Sequence, residues 1–316
     1  MKRFLLCVTL FTVLVASLAA PLFLWAYRSQ VRLFKQACIV PDCRVAGVGD
    51  SRMETSIDPA LWPGFGNFGQ DAGPIAVSLL KARTLCASNP NLEVILIDIW
   101  PKEGFFTDET GEYDLMPNFM LAELIDGRWR SALRAGALQR FKSGIIAAAI
   151  ANARAEEPKS WVCGGFAALY KETTKNKWRN EAAFVVPEHK KKASRARPLP
   201  EMGEGERELR TFLESLRGRS VRAVLLTAPV HPWFRKHIYG GNDREARFEA
   251  RMKAISAEFG VPWLNHWADP RLTDFDLLAD GTHLNWRGSR LYTQIVREEV
   301  EALQRQWQHA PSQEQE

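Results

Sequence analysis

A serine hydroxyl is barely nucleophilic at neutral pH and needs a neighbouring base to attack a carbonyl carbon. The chain carries candidates for both partners at opposite ends. Gly49-Asp50-Ser51 closes a short apolar run and reads as the turn between a strand and a helix. A serine there has an exposed hydroxyl, and its own N–H lies at a helix start, where free donors and the positive dipole end favour an oxyanion. Alone, the triplet also suits a plain turn with a helix cap. Asp280-Gly281-Thr282-His283 supplies what it lacks. A carboxylate three residues before a histidine can accept the imidazole Nδ1–H, which leaves Nε2 to face the nucleophile. Ser51, His283 and Asp280 are therefore the candidate catalytic triad.

The other histidines, His189, His231, His237, His266 and His309, lack a carboxylate so placed. His231 follows a core strand and either lines the pocket or serves the structure. The 11 tryptophans include Trp100, Trp233 and Trp286 near expected strand ends, where a ring packs in the core or stacks on a sugar. Cys38 and Cys43 enclose four residues, a spacing that suits a small disulfide loop in an oxidising compartment or two unrelated thiols. No C-x-x-C or His/Cys cluster suggests zinc, so neither metal nor organic cofactor is expected.

The elements that must bring residues 51 and 283 together alternate along the chain. Strands are expected at 44–49, 64–69, 93–99, 221–229 and 261–265, and helices at 74–88, 206–217, 244–259 and 286–307. The run at 93–99 is almost continuously apolar, as a parallel strand covered on both faces should be. This alternation predicts an α/β fold, a three-layer α/β/α sandwich with a mostly parallel sheet. Its active site should lie at the carboxyl ends of the strands. An insertion at about 101–205 interrupts the pattern, with a long helix expected at 129–155.

With Gly-Asp-Ser after strand one, glycines after strand two and Asp-x-x-His before the last helix, the chain resembles the SGNH (GDSL-type) hydrolase superfamily over residues 44–306. The resemblance implies a flavodoxin-like sheet and acyl transfer through Ser51, His283 and Asp280. It also implies a second oxyanion N–H from a glycine of the second block, Gly69 or Gly73. The family's third block, Gly-x-Asn-Asp, is absent; Asp98-Ile99-Trp100-Pro101-Lys102 stands in its place, and Asn67 is the candidate to replace the missing donor. Arg52, where many relatives carry leucine, pairs with Asp50 or binds an anionic substrate; Trp100 and His231 are further candidate substrate contacts. The 280–288 segment is especially similar to envelope members that serve polysaccharide O-acetylation or teichoic-acid D-alanylation. A glycan or other acylated polymer as substrate, and a membrane-bound O-acyltransferase as partner, are what that similarity implies. The alternative is a non-catalytic assembly or glycan-binding protein that keeps the fold.

Residues 1–27 hold Lys2 and Arg3 followed by an apolar run long enough to span a bilayer. They read as an uncleaved single-pass anchor, with a cleaved signal peptide as the rival. Residues 28–43 then form a linker and 307–316 a polar tail, and the domain is expected to face the periplasm or cell exterior. The net charge of +5 includes a basic run at 189–197, which suits a solvated loop or contact with anionic lipid or polymer. No motif supports nucleic-acid binding.

Overall fold

The structure is a computed structural model that describes residues 34–70, 75–101, 203–236, 244–272, 274 and 277–309, with scattered positions between 7 and 32. The chain forms two compact units, Met1–Ile39 with Glu112–Cys163, and Val40–Gly111 with Gly164–Glu316. In the first unit, every residue described between Cys7 and Ala37 is helical. No described helix is long and apolar enough to cross a membrane. Most of the expected anchor, and the helix expected at 129–155, lie outside the described residues.

The second unit is built on a parallel sheet of five strands: β1 (Val45–Gly49), β2 (Phe65–Gly69), β3 (Val94–Asp98), β4 (Arg222–Thr227) and β5 (Trp263–Asn265), in the order β2-β1-β3-β4-β5. The helices are α1 (Ser51–Ser56), α2 (Ile75–Ser88), α3 (Glu204–Ser215), α4 (Arg244–Phe259) and α5 (Trp286–His309). β1 and β3 are buried at every position, which requires cover on both faces and explains the apolar run Val94–Ile97 that precedes Asp98 in β3. One face packs Val45, Val94, Leu96, Val224 and Leu226 against Met53 and Ile57 of the α1 segment and Tyr292, Val296 and Val300 of α5. α2 lies against β1 and packs on α3.

This strand order reverses direction between β1 and β3, and open α/β sheets bind ligands in the crevice at that switch point. Gly49-Asp50-Ser51 leaves β1 there. The first helix must turn back tightly over the sheet, and Gly69 allows it: a Cβ at Gly69 would fall inside contact distance of the Glu54 backbone. That glycine is fixed by close packing of α1 on β2.

Neither Cys38 nor Cys43 forms a disulfide, so of the two readings their spacing allowed the structure has the unrelated thiols. The Cys43 thiol donates to the Val45 carbonyl oxygen at 3.2 Å, and burial pushes it up to about 11. It is a protonated, inert thiol at neutral pH.

Candidate active site

Asp50 caps α1. Its backbone is extended, and its Oδ1 accepts the Arg52 N–H at 3.0 Å, so Ser51 becomes the first helical residue. Ser51 is also tied from behind, since Thr55 Oγ1 donates to its carbonyl oxygen at 2.9 Å.

The second half of the site is a loop pinched shut by the Leu278–Leu284 bridge and by Ala279 N–H donating to His283 O at 2.8 Å. Inside it, one Asp280 oxygen, Oδ1, accepts the N–H groups of Thr282 (2.8 Å) and His283 (2.9 Å). The other, Oδ2, lies 2.8 Å from His283 Nδ1. The carboxylate thus both folds the loop and orients the ring. Asn285 anchors the start of α5, accepting from Arg287 and Gly288 N–H and donating to Leu278 O. The cap at Asn285 was not recognised in the sequence, although Asn before the first periodic residue of a helix is the usual signal.

These two halves meet: Ser51 Oγ lies 2.8 Å from His283 Nε2. Because Asp280 can only accept, Nδ1 carries the proton and Nε2 is free to accept from the serine hydroxyl. Burial acts to lower the basicity of His283, but the hydrogen bond and charge of Asp280, with the charge of Asp50, outweigh it and hold the ring's pKa above its ordinary value. Arg52 opposes them. Burial acts to raise the Asp280 pKa, and the hydrogen bond and charge of His283 reverse that, leaving it below the usual carboxylate range.

Two expected oxyanion donors are already engaged. Asn67 Nδ2 donates to the carbonyl oxygens of Met53 (2.9 Å) and Ile57 (2.8 Å), which fastens the end of α1 to β2. Gly69 N–H donates to Asn67 Oδ1 at 2.9 Å. Neither group is therefore free to receive a developing negative charge, and both expectations are corrected. Gly73 lies outside the described residues. The Ser51 N–H keeps its place at the start of α1.

Arg52 does not direct its guanidinium to Asp50. The side chain is 1% exposed, its Nη2 donates to the Ala228 carbonyl oxygen, and the guanidinium carbon lies 4.8 Å from the Trp100 ring centre and 5.6 Å from that of Trp267. Trp100 is partly exposed and donates its indole N–H to Asp50 Oδ2 at 2.7 Å. His231 is buried; its Nδ1 accepts the Trp233 N–H and its own N–H donates to Gly281 O, so it braces the Asp280 loop. Trp100 and Trp233 pack on a small cluster of Val230, Phe234 and Trp267, while Trp286 opens α5.

Asp98 was not recognised as a site residue. It ends β3 with its carboxylate buried, and its Oδ1 accepts the Ala228 N–H at 3.3 Å. Burial drives its pKa up to about 6 against the pull of Arg52. Among the described residues no group of three or more His, Cys, Asp or Glu could hold a metal ion.

No family model and no curated protein matches the chain. Solved structures similar to it include a GDSL-like lipase from Bacteroides thetaiotaomicron, at 12% identity over 88% of this chain and 99% of that one, with a TM-score of 0.41. An aryl esterase from M. smegmatis is 12% identical over 83% and 99%, with a TM-score of 0.36. A carbohydrate acetylesterase from Sinorhizobium meliloti is 12% identical over 82% and 98%, with a TM-score of 0.34. These are loose likenesses, and the functional reading rests on side-chain geometry instead.

Proposed function

We propose that the chain is a serine acyl-esterase or acyltransferase of the SGNH type. The observation that carries this reading is the continuous relay from Ser51 Oγ through His283 to Asp280, 2.8 Å at each link. In it, Ser51 attacks the acyl carbon while His283 Nε2 takes the hydroxyl proton. His283 then returns that proton to the leaving oxygen, and an acyl-Ser51 ester remains. Water or a second hydroxyl, activated by the same imidazole, releases the acyl group. Asp280 holds the ring and stabilises the imidazolium, and Ser51 N–H contributes to the oxyanion site.

The substrate in this reading is an acylated envelope glycan or similar polymer. Its support is the sequence similarity of the 280–288 segment, the apolar stretch at residues 1–27 and the partly exposed Trp100 and Trp233 beside the Asp280 loop. Residues 1–27 would tether the domain outside the cytoplasmic membrane, beside a membrane-bound O-acyltransferase. The engaged Asn67 and Gly69 donors favour a second reading, a non-catalytic glycan- or assembly-binding protein.

A fluorophosphonate probe on the full chain separates the two. Adduct at Ser51 that disappears in His283→Ala is expected. A folded chain that stays unlabelled with its membrane partner present would establish the binding reading instead.

A further inference from the structure

Ser51 is flanked by opposite charges, Asp50 before it and Arg52 after it. Both are fixed by the fold. The Asp50 carboxylate is held by the Arg52 backbone N–H and by the Trp100 indole. The Arg52 guanidinium is closed in by the Trp100 and Trp267 rings and bonded to Ala228 O. Its Nε and Nη1 have no hydrogen-bond partner among the described residues. In a dry, immobile setting such charges act on their neighbours more strongly than they would in water. Ser51, the residue between them, places its Oγ 2.8 Å from the imidazole Nε2.

We propose that Asp50 and Arg52 are positioning residues whose opposed charges, fixed on either side of Ser51, tune the basicity of His283. Asp50 favours the imidazolium and Arg52 disfavours it. The other described charges that face the ring are Asp280 on its own loop and Asp98 at the end of β3. Asp280 favours the charged ring, which cannot act as a base, and burial opposes it. Arg52 offsets part of that pull without touching the imidazole, and Trp100 holds the Asp50 oxygen in place. The residues that occupy the missing third block thus serve the base. This inference deepens the serine-hydrolase reading, but its test does not depend on turnover.

The test is a titration of the full chain carrying isotope-labelled histidine, followed by NMR, with the His283 resonance assigned by its loss in His283→Gln. Asp50→Asn keeps the helix cap and should lower the His283 midpoint, and Arg52→Met should raise it, each by about half a pH unit. Arg52→Lys keeps the charge and should leave the midpoint in place. Midpoints that do not move, or that move in the same direction, would overturn the proposal. Should Arg52→Met fail to fold, Asp50→Asn decides alone, and an unchanged or raised midpoint sinks the idea. The pH dependence of fluorophosphonate labelling should shift in the same two directions. Opposed NMR shifts without labelling at any pH would support the charge balance and refute the hydrolase reading.

Discussion

Gly281 sits between the two residues that matter most to the relay, and its replacement by alanine is a sharp test of how the loop is held. A Cβ at this position would come within 2.0 to 2.4 Å of three Phe234 ring carbons, closer than an ordinary carbon contact of about 3.5 Å by more than about 1 Å. Phe234 is itself buried against Val230 and Trp267, so the ring has little room to retreat. Overpacking of this kind costs about 1–3 kcal/mol, or a melting temperature lower by roughly 2–12 °C for a domain of this size. If the loop yields instead of the ring, Asp280 and His283 move with it. A misplacement of about 1 Å can cost on the order of 100-fold in rate. Gly281→Ala should therefore melt lower and lose about two orders of magnitude in the rate of Ser51 labelling. Phe234→Leu in the same chain shortens the obstructing ring and should restore at least part of that rate. Wild-type melting and labelling in Gly281→Ala would refute the argument that the Phe234 contact seats the loop.

The same geometry sets three further outcomes. Asp280→Asn removes the acceptor that selects the Nδ1–H tautomer, so Ser51 labelling should fall by roughly three to four orders of magnitude; labelling within tenfold of wild type would show that another group orients His283. Burial raises Asp98 from the ordinary 3.8 to about 6, so the stability it contributes is present below pH 3.8 and lost as pH rises through 6. Urea denaturation should accordingly show Asp98→Asn gaining on the wild type as pH rises from 4 to 7.5, and a difference that does not vary with pH would refute the buried-carboxyl account. Cys38 and Cys43 should both alkylate on unfolding without reductant, and a linked peptide in mass spectrometry would contradict their thiol state.

The parts of the fold that were legible are those with a strong local signal. The apolar run at 93–99 appears as β3, and the amphipathic stretch expected at 244–259 is α4 with the same limits, because burial on one face alone sets a helical period. Strand β5 is shorter than expected, Trp263–Asn265 against 261–265, since Pro262 has no N–H to add to a ladder. The spacing of Cys38 and Cys43 could not choose between a bridge and two unrelated thiols, because spacing constrains only the reach of a thiol. The direction of the Cys43 side chain is set by the turn into β1, where Sγ finds the Val45 carbonyl.

The candidate site divides in the same way. Ser51, Asp280 and His283 could be picked out because each has a chemical type suited to its task and a place beside an element boundary. The oxyanion donors could not be, because whether an N–H is available depends on what it already bonds. Asn67 looked free in the sequence; the close crossing of α1 over β2, made possible by Gly69, turns its amide toward Met53 O and Ile57 O. The departure at the third block has a similar resolution. Asp98 and Trp100 replace an expected side-chain donor with a buried carboxyl and an indole, and these act on Ala228 N–H and Asp50. They therefore bear on the electrostatics around Ser51 and His283, and among the described residues the Ser51–His283–Asp280 contacts are ordered while Asn67 and Gly69 are engaged elsewhere. In the proposed reaction a donor lost from the oxyanion site would cost rate mainly in the acyl-transfer transition state, where charge develops on oxygen, and much less in forming the Ser51–His283 contact.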